Sequence, residues 1–194
     1  MNYTAEISNS LNVLSEMFTD RGQDASELAN LSQAEVQQFV SSRNIFSIPP
    51  LMKGSTLVVF DLSHKLKWAD TVTYIEKEAG SLNDIKLIIV VVKEKANMKN
   101  VGKLKDVDQQ SFALQDLQFN ISKHILVPKH ELIADDKEIT EILTNYQLKS
   151  KTQLPLILNT DPMAKYFNAK PGNIMKITRI SPTCGTSIVY RCVT

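Results

Sequence analysis

Four groups of residues in this sequence have the types and spacing that chemistry at a site requires. In the first, Asp84 and Lys86 stand two positions apart before an apolar run, and Asp61 follows an earlier apolar run. Two acids and a lysine are the minimal set for holding Mg²⁺ beside a scissile phosphate. A magnesium-dependent nuclease is therefore one hypothesis, although an acid-x-lysine step is common by chance.

The second group is a lysine-rich run after the apolar residues 87–92. Residues 93–105 contain five lysines and one acid, Glu94. A basic loop suits a phosphate backbone, because each neutralised phosphate releases counterions. A solvated lysine-rich surface is the alternative, and composition alone favours it.

The two remaining groups are a histidine pair and a cysteine pair. His124 and His130 flank Leu126-Val127-Pro128, but six residues of extended, proline-containing chain hold them apart, and no ligand cluster accompanies them. Cys184 and Cys192 fit no common zinc spacing, which favours two reduced thiols. We therefore predict neither a metal site nor a cofactor.

Hydrophobic periodicity predicts the elements that position the first two groups. Apolar residues at helical spacing predict a helix over 4–18, ended by Asp20-Arg21-Gly22, and a second short helix after Ser32. Strands are expected at 57–60 and 85–92, with a helix between them that stops at Gly80. The second strand is apolar throughout, which indicates burial on both faces. This order predicts a sheet flanked by helices.

The C-terminal region predicts a small α+β unit. Asp135 or Asp136 caps a helix over 136–147, whose buried stripe is Ile139, Ile142, Leu143 and Tyr146. Asp161 and Pro162 begin a short helix that Asn168 ends in the left-handed region. A turn at 170–172 then leads into a strand over 174–179.

Composition bounds the function classes. The 194 residues suffice for one large or two small domains, and the net charge of +1 disfavours a free-standing DNA-binding module. Charge is unevenly distributed: residues 1–40 carry six acids and only Arg21, whereas residues 162–194 carry five basic residues and no acid. The polar N-terminus and the short apolar runs predict neither a secretory signal nor a membrane partner.

Several blocks in the second half carry a family resemblance. They are residues 124–130, 153–155, 161–166, Gly172 with Ile174, 176–177, Arg179 and 190–191. In order and spacing, over about seventy residues, they resemble the fifth subunit shared by the three nuclear DNA-dependent RNA polymerases. The C-terminal part of that family is the counterpart of the small, H-type subunit of archaeal polymerases. Asp20-Arg21-Gly22 and the strand running into residues 93–99 extend the resemblance less tightly.

The resemblance implies a fold and a function. Residues 1–122 are expected to form an α/β jaw domain, with a mixed, restriction-endonuclease-like sheet flanked by helices, and residues 123–194 a small α+β assembly domain. The protein would be a non-catalytic polymerase subunit. Its assembly domain would dock on the largest subunit among the other polymerase subunits, and its jaw would lie beside downstream duplex DNA. Its location would be the nucleus, or a virion or cytoplasmic viral factory for a viral member.

The resemblance also implies site residues. Those near DNA would be Lys93, Lys95, Asn97, Lys99 and Lys103. Those at the subunit interface would be Val127, Pro128, His130, Pro155, Asp161, Pro162, Tyr166, Gly172, Lys176, Arg179, Tyr190 and Arg191. The chain departs from the family pattern at Lys95-Ala96-Asn97, where a Thr-Pro-Ser-like step is usual, and at Pro182, which replaces an acid. Gly185 is retained for the last turn.

Overall fold

The computed structural model of the protein describes residues 3–23, 25, 31, 33–42, 45–47, 56–63, 68–79, 85–93, 107–181, 183 and 185–194. The chain divides into two compact units, Met1–Phe119 and Asn120–Thr194. No helix in the described ranges is long and apolar enough to cross a membrane.

The helices of the N-terminal unit follow the predicted periodicity. Helix α1, Thr4–Asp20, buries Ile7, Leu11, Leu14 and Phe18, and it packs against α2, Gln33–Ser42, and a 3₁₀ helix at Leu114–Leu117. The chain leaves α1 through Gly22, whose φ of 76° is the left-handed conformation that favours glycine. The predicted end of the first helix is therefore confirmed. Ser32, the expected cap of α2, lies outside the described residues.

The sheet of the N-terminal unit has four strands in sequential order. They are β1 (Ile45–Ser47), β2 (Thr56–Asp61), β3 (Leu87–Val92) and β4 (Asp108–Ala113). β1 is antiparallel to β2, whereas β2, β3 and β4 are parallel, so the sheet is mixed. Helix α3, Trp68–Ala79, connects β2 to β3, as a parallel pair requires. Gly80, its predicted stop, lies outside the described residues.

The two central strands are buried on both faces, which the apolar sequence predicts for the second of them, β3. Every residue of β2 and β3 is buried. Leu57, Val59, Ile88 and Val90 pack with Ile75 of α3 on one face, where Asp61 at the end of β2 also points. An acid in this position must be satisfied by the protein, because water does not reach it.

The sheet of the C-terminal unit has the order β5-β7-β8-β6. Its strands are β5 (Lys129–Ile133), β6 (Leu156–Ile157), β7 (Ile174–Ser181) and β8 (Gly185–Val193). β7 is antiparallel to both β5 and β8, while the two residues of β6 run parallel to the end of β8. The unit is therefore a long β7–β8 hairpin with short flanking strands.

Each face of this sheet is covered by one helix. Helix α4, Asp136–Asn145, places Ile139 and Ile142 against Ile174 and Cys192, on what we call the α4 face. Helix α5, Pro162–Tyr166, places Ala164 against Met175, Ile157 and Val193, on what we call the α5 face. Since side chains alternate along a strand, even-numbered residues of β7 and β8 lie on the α4 face and odd-numbered residues on the α5 face.

The predicted caps and turns of this unit are confirmed. The carboxylates of Asp135 and Asp161 accept hydrogen bonds from the second residue of α4 and of α5, at 3.1 and 2.9 Å. Asn168 has a φ of 51° after α5, and Gly172 has a φ of 89° in the following turn. These local interactions explain why α5, a helix of only five residues, begins and ends at defined residues.

Two predictions for this unit are wrong. Tyr146 does not belong to a buried stripe: α4 ends at Asn145, Gln147 turns left-handed with a φ of 54°, and the Tyr146 side chain is 53% exposed. The segment 124–130 is not an extended strand either. Its first part folds into a turn in which the Val127 N–H donates to the His124 carbonyl at 2.9 Å, so only Lys129 and His130 enter β5.

Candidate subunit interface

Three predicted interface residues come together on the α5 face. His130 lies opposite Ile177, Arg191 lies opposite Met175, and Arg179 follows two residues after Ile177 on the same face. His130 Nδ1 is 2.7 Å from the Pro128 carbonyl oxygen, which fixes the ring, and the Arg191 Nη1 donates to the Leu156 carbonyl at 3.1 Å. Strands separated in sequence thus present one histidine and two arginines on a single surface.

The positive charge of this surface comes from its two arginines and not from its histidine. The pKa of His130 is lowered from its usual 6.5, chiefly because burial disfavours the charged ring. Arg179 and Arg191 lower this pKa further, whereas the hydrogen bond to Pro128 and the carboxylate of Asp161 oppose the shift. At neutral pH the α5 face therefore offers two guanidinium groups beside a neutral imidazole.

Lys176 and Tyr190 lie on the opposite, α4 face, where they face each other across β7 and β8. Lys176 Nζ is 3.5 Å from a carboxylate oxygen of Glu131, and Tyr190 meets Tyr146 edge-on at 5.7 Å between ring centroids. The pKa of Glu131 is lowered mainly by its hydrogen bond with Lys129, with Lys176 contributing less. The predicted interface residues are therefore divided between two faces, because odd and even strand positions point apart.

Five other predicted interface residues take part in the hydrogen bonds, turns and helix start of the unit itself. The Pro155 carbonyl accepts the Cys192 N–H at 2.9 Å, and the Gly172 N–H donates to the Val193 carbonyl at 2.9 Å. Asp161 and Pro162 start α5. Tyr166 is 4% exposed, and its hydroxyl accepts from Asn120 Nδ2 at 3.1 Å, so its side chain is not available to a partner.

The turn before β5 holds the remaining predicted residues, Val127 and Pro128, which are both half-buried. Beside them, Ile125 and Leu126 are 94% and 83% exposed. The Nδ1 of His124 accepts the N–H of Leu126 at 3.2 Å. The described ranges contain no group of three or more His, Cys, Asp or Glu side chains placed to hold a metal.

The residues predicted to lie near DNA are mostly outside the described part of the chain. Lys95, Asn97, Lys99 and Lys103 fall in the range 94–106, of which nothing is described. Lys93 directly follows β3, and its ammonium group lies 5.5 Å from the centroid of the Tyr3 ring, a cation–π contact. The basic run therefore starts at the end of a buried strand, which is a rigid base for it.

Asp61, one of the two acids that the nuclease hypothesis requires, is buried and hydrogen-bonded within the N-terminal unit. Asp61 is 1% exposed; it accepts the Ser63 N–H at 3.0 Å and the Thr71 hydroxyl of α3 at 2.5 Å. Asp84 lies outside the described residues, and Lys86 is exposed before β3. Because each Asp61 oxygen already accepts a hydrogen bond, the carboxylate serves to join β2 to α3, and nothing supports a role in holding a metal.

Sequence reasoning missed two exposed apolar residues on the hairpin. Ile180 is 93% exposed and Ile188 is 45% exposed, and both lie on the α4 face beyond the cover of α4. The period-two pattern around each of these residues predicts a strand, but it does not tell where the covering helix ends. Only the register of the sheet shows that this end of the hairpin is uncovered.

Comparisons with known proteins place this chain among RNA polymerase subunits. A family model described as RNA polymerase Rpb5, C-terminal domain, matches residues 119–193. The chain is 31% identical to subunit 5B of DNA-directed RNA polymerases IV and V of Arabidopsis thaliana, over 92% of this chain and 85% of that one. It is 35% identical to subunit rpabc1 of DNA-directed RNA polymerases I, II and III of Dictyostelium discoideum, over 63% and 66%. It is also 48% identical to DNA-directed RNA polymerase subunit Rpo5 of Archaeoglobus fulgidus, over 77 residues that are 40% of this chain and 99% of that one.

Proposed function

This chain belongs to the family of subunit 5 of DNA-directed RNA polymerases, and from that membership we propose that its C-terminal unit docks on the largest polymerase subunit. The chain is a non-catalytic subunit of such a polymerase. The N-terminal unit would then form a jaw beside downstream duplex DNA. Other polymerase subunits are its partners in the same assembly.

The observation that carries this proposal is the size of the archaeal relative. That relative aligns over 99% of its own length with only 77 residues of this chain, and the family model covers a stretch of nearly the same length at the C-terminal end. A polymerase subunit that consists of little else supports an assembly role for the C-terminal unit. So small a unit buries little apolar surface, which favours completion by a partner.

The α5 face is the part of the unit best suited to that partner. Residues 162–194 contain no acid, and Arg179 and Arg191 project from adjacent strands beside a histidine of lowered pKa. Arginine forms two parallel hydrogen bonds with a carboxylate, so it is suited to an interface with an acidic surface. We therefore assign the docking contact to acidic side chains of the largest subunit.

The jaw proposal is supported by the position of the basic run. Residues 93–105 leave the end of β3, a strand buried on both faces, and carry five lysines and one acid. Lys95, Lys99 and Lys103 would meet phosphates only within the assembled enzyme, since the net charge of +1 gives little attraction by itself. The mixed sheet with its antiparallel edge strand supports the restriction-endonuclease-like fold that the resemblance implies.

A nuclear location is the general expectation for a subunit whose plant and slime-mould relatives are named as subunits of RNA polymerases I to V. The location is testable by fluorescence microscopy of the tagged full chain.

Reversal of charge on the α5 face tests the docking proposal. The double variant Arg179→Glu, Arg191→Glu of the full chain should bind the largest subunit at least about tenfold more weakly, since two charge-assisted contacts would be lost. Lys149→Glu, an exposed reversal in the loop after α4, is the matched control and should bind like the parent. Equal binding by all three proteins would refute the assignment, and absence of binding by the parent would refute docking itself.

Proximity to DNA is tested separately in an assembled transcription complex. A photo-crosslinker at position 95 or 103 should join the chain to DNA ahead of the active site, whereas one at Lys77 on α3 should not. If the crosslinks never reach DNA, the jaw proposal is wrong.

A further inference from the structure

The β7–β8 hairpin is longer than the strands that flank it, which leaves one edge of β8 without a neighbour in the described part of the chain. β6 pairs with β8 only at Cys192 and Val193, through Leu156 and Ile157. β8 itself begins at Gly185, seven residues before that pairing. An unpaired strand edge presents a row of N–H and C=O groups, which is a template for pairing with another strand.

The hydrogen bonds at the end of β8 show which backbone groups face this edge. The N–H groups of Cys192 and Thr194 donate to Pro155 and Ile157, on the β6 side, while the N–H of Val193 donates to Asn173, on the β7 side. Direction alternates along a strand, and the register with β7 is continuous from Ile174 to Ser181. The backbone groups of Thr186, Ile188 and Tyr190 therefore point outward, toward the open edge.

The side chains beside this edge define the chemistry of a matching strand. On the α4 face, Ile188 is 45% exposed and Ile180, on β7, is 93% exposed. On the α5 face, the guanidinium group of Arg191 lies at the edge, where it reaches the carbonyl of Leu156. A strand added here would place apolar side chains against Ile188 on one face and an acidic side chain near Arg191 on the other.

We propose that the open edge of β8, residues 186–190, receives an extended segment of the largest polymerase subunit as a fifth strand of the C-terminal sheet. The segment alternates apolar and acidic side chains, and it continues the line that β6 begins. Backbone hydrogen bonds supply part of the affinity and alternate side chains supply the specificity, as in other strand additions. The inference rests on the proposed docking of this unit, and it names the geometry of the contact.

Hydrogen exchange resolved to single amides tests the inference on the unmodified full chain, with the largest polymerase subunit as the probe. In the free chain, the amides of Ile188 and Tyr190 should exchange fast, and those of Ser187 and Val189, which face β7, should exchange slowly. In the complex, the amides of Ile188 and Tyr190 should slow by at least about tenfold, as hydrogen-bonded amides do. A complex that forms without slowing these two amides overturns the strand addition and leaves docking intact. If no complex forms, docking fails and the inference fails with it.

A backbone substitution gives a second, independent readout. Ile188→Pro removes one outward N–H from an edge position where proline is tolerated, and Ile188→Val keeps the N–H and most of the side chain. The proline variant should bind the largest subunit about tenfold more weakly, whereas the valine variant should stay within about threefold of the parent. Equal binding by both variants would show that the N–H at 188 makes no contact and would overturn the proposal. Circular dichroism checks that the proline variant remains folded.

Discussion

Removal of the Thr71 hydroxyl should reveal whether Asp61 is a structural carboxylate. The change Thr71→Val conserves volume and deletes the donor that lies 2.5 Å from Asp61. Both side chains are at most 1% exposed, so water does not replace the lost bond. A hydrogen bond to a charged group contributes about 1.5–3 kcal/mol, so Thr71→Val should lower the free energy of unfolding by about that amount. Asp61→Ala also abolishes the bond from the Ser63 N–H at 3.0 Å and leaves a small cavity, so it should cost about 3–4 kcal/mol.

A double-mutant cycle separates this contact from other effects of the substitutions. Once Asp61 is alanine, Thr71→Val should cost little, which gives a coupling free energy of about 1.5–3 kcal/mol. Urea unfolding followed by tryptophan fluorescence is the assay, because Trp68 is the single tryptophan of the chain and begins α3. The matched control is Thr73→Val, whose exposed hydroxyl donates to the Ala69 carbonyl within α3. Additive costs at 61 and 71, within about 0.3–0.5 kcal/mol, would show that Asp61 does not join β2 to α3 through Thr71.

Three further predictions concern the C-terminal unit. The pKa of the His130 ring, followed by NMR, should lie below 6.5. The free energy of unfolding should therefore fall as the pH drops from 6.5 to the pKa of the folded ring, because the unfolded ring takes up its proton first. His130→Gln should abolish this part of the pH dependence, and an unchanged stability profile in that variant would contradict the prediction. Asp161→Ala should lower the free energy of unfolding by about 0.5–2 kcal/mol through loss of the bond to the Met163 N–H, and Asp135→Ala, the cap of α4, is the comparison that should cost a similar amount. Gly172→Ala should cost about 1–2 kcal/mol in thermal unfolding from backbone strain alone, because φ is 89° and the added methyl group meets no atom within 4 Å; a neutral result would show that the turn relaxes freely.

Local signals in the sequence predicted the local structure well. Asp161 and Pro162 start α5, and Asn168 ends it, because capping and left-handed turns depend on residues within one helical turn of each other. The continuous apolar run that becomes β3 indicated burial on both faces, and every residue of that strand is buried. Tyr146 was placed wrongly because its helical spacing continues past Asn145, where the backbone turns away.

The arrangement of the candidate interface could not be predicted in the same way. Period two assigns Lys176 and Arg179 to opposite faces of β7, but the sequence does not tell which helix covers which face or where the cover ends. Arg179 lies on the same face as His130 because β7 pairs with β5, and the two residues are about fifty positions apart in the sequence. The open edge of β8 depends on β6 being two residues long, which is a property of the neighbouring strand.

Purification of the tagged full chain from its native source tests the central claim most directly. We predict that the chain elutes with the largest subunit of a DNA-directed RNA polymerase, in a fixed one-to-one ratio through gel filtration and ion exchange. A chain that elutes alone, with no polymerase subunit at comparable amounts, would contradict its assignment as a subunit that docks through its C-terminal unit.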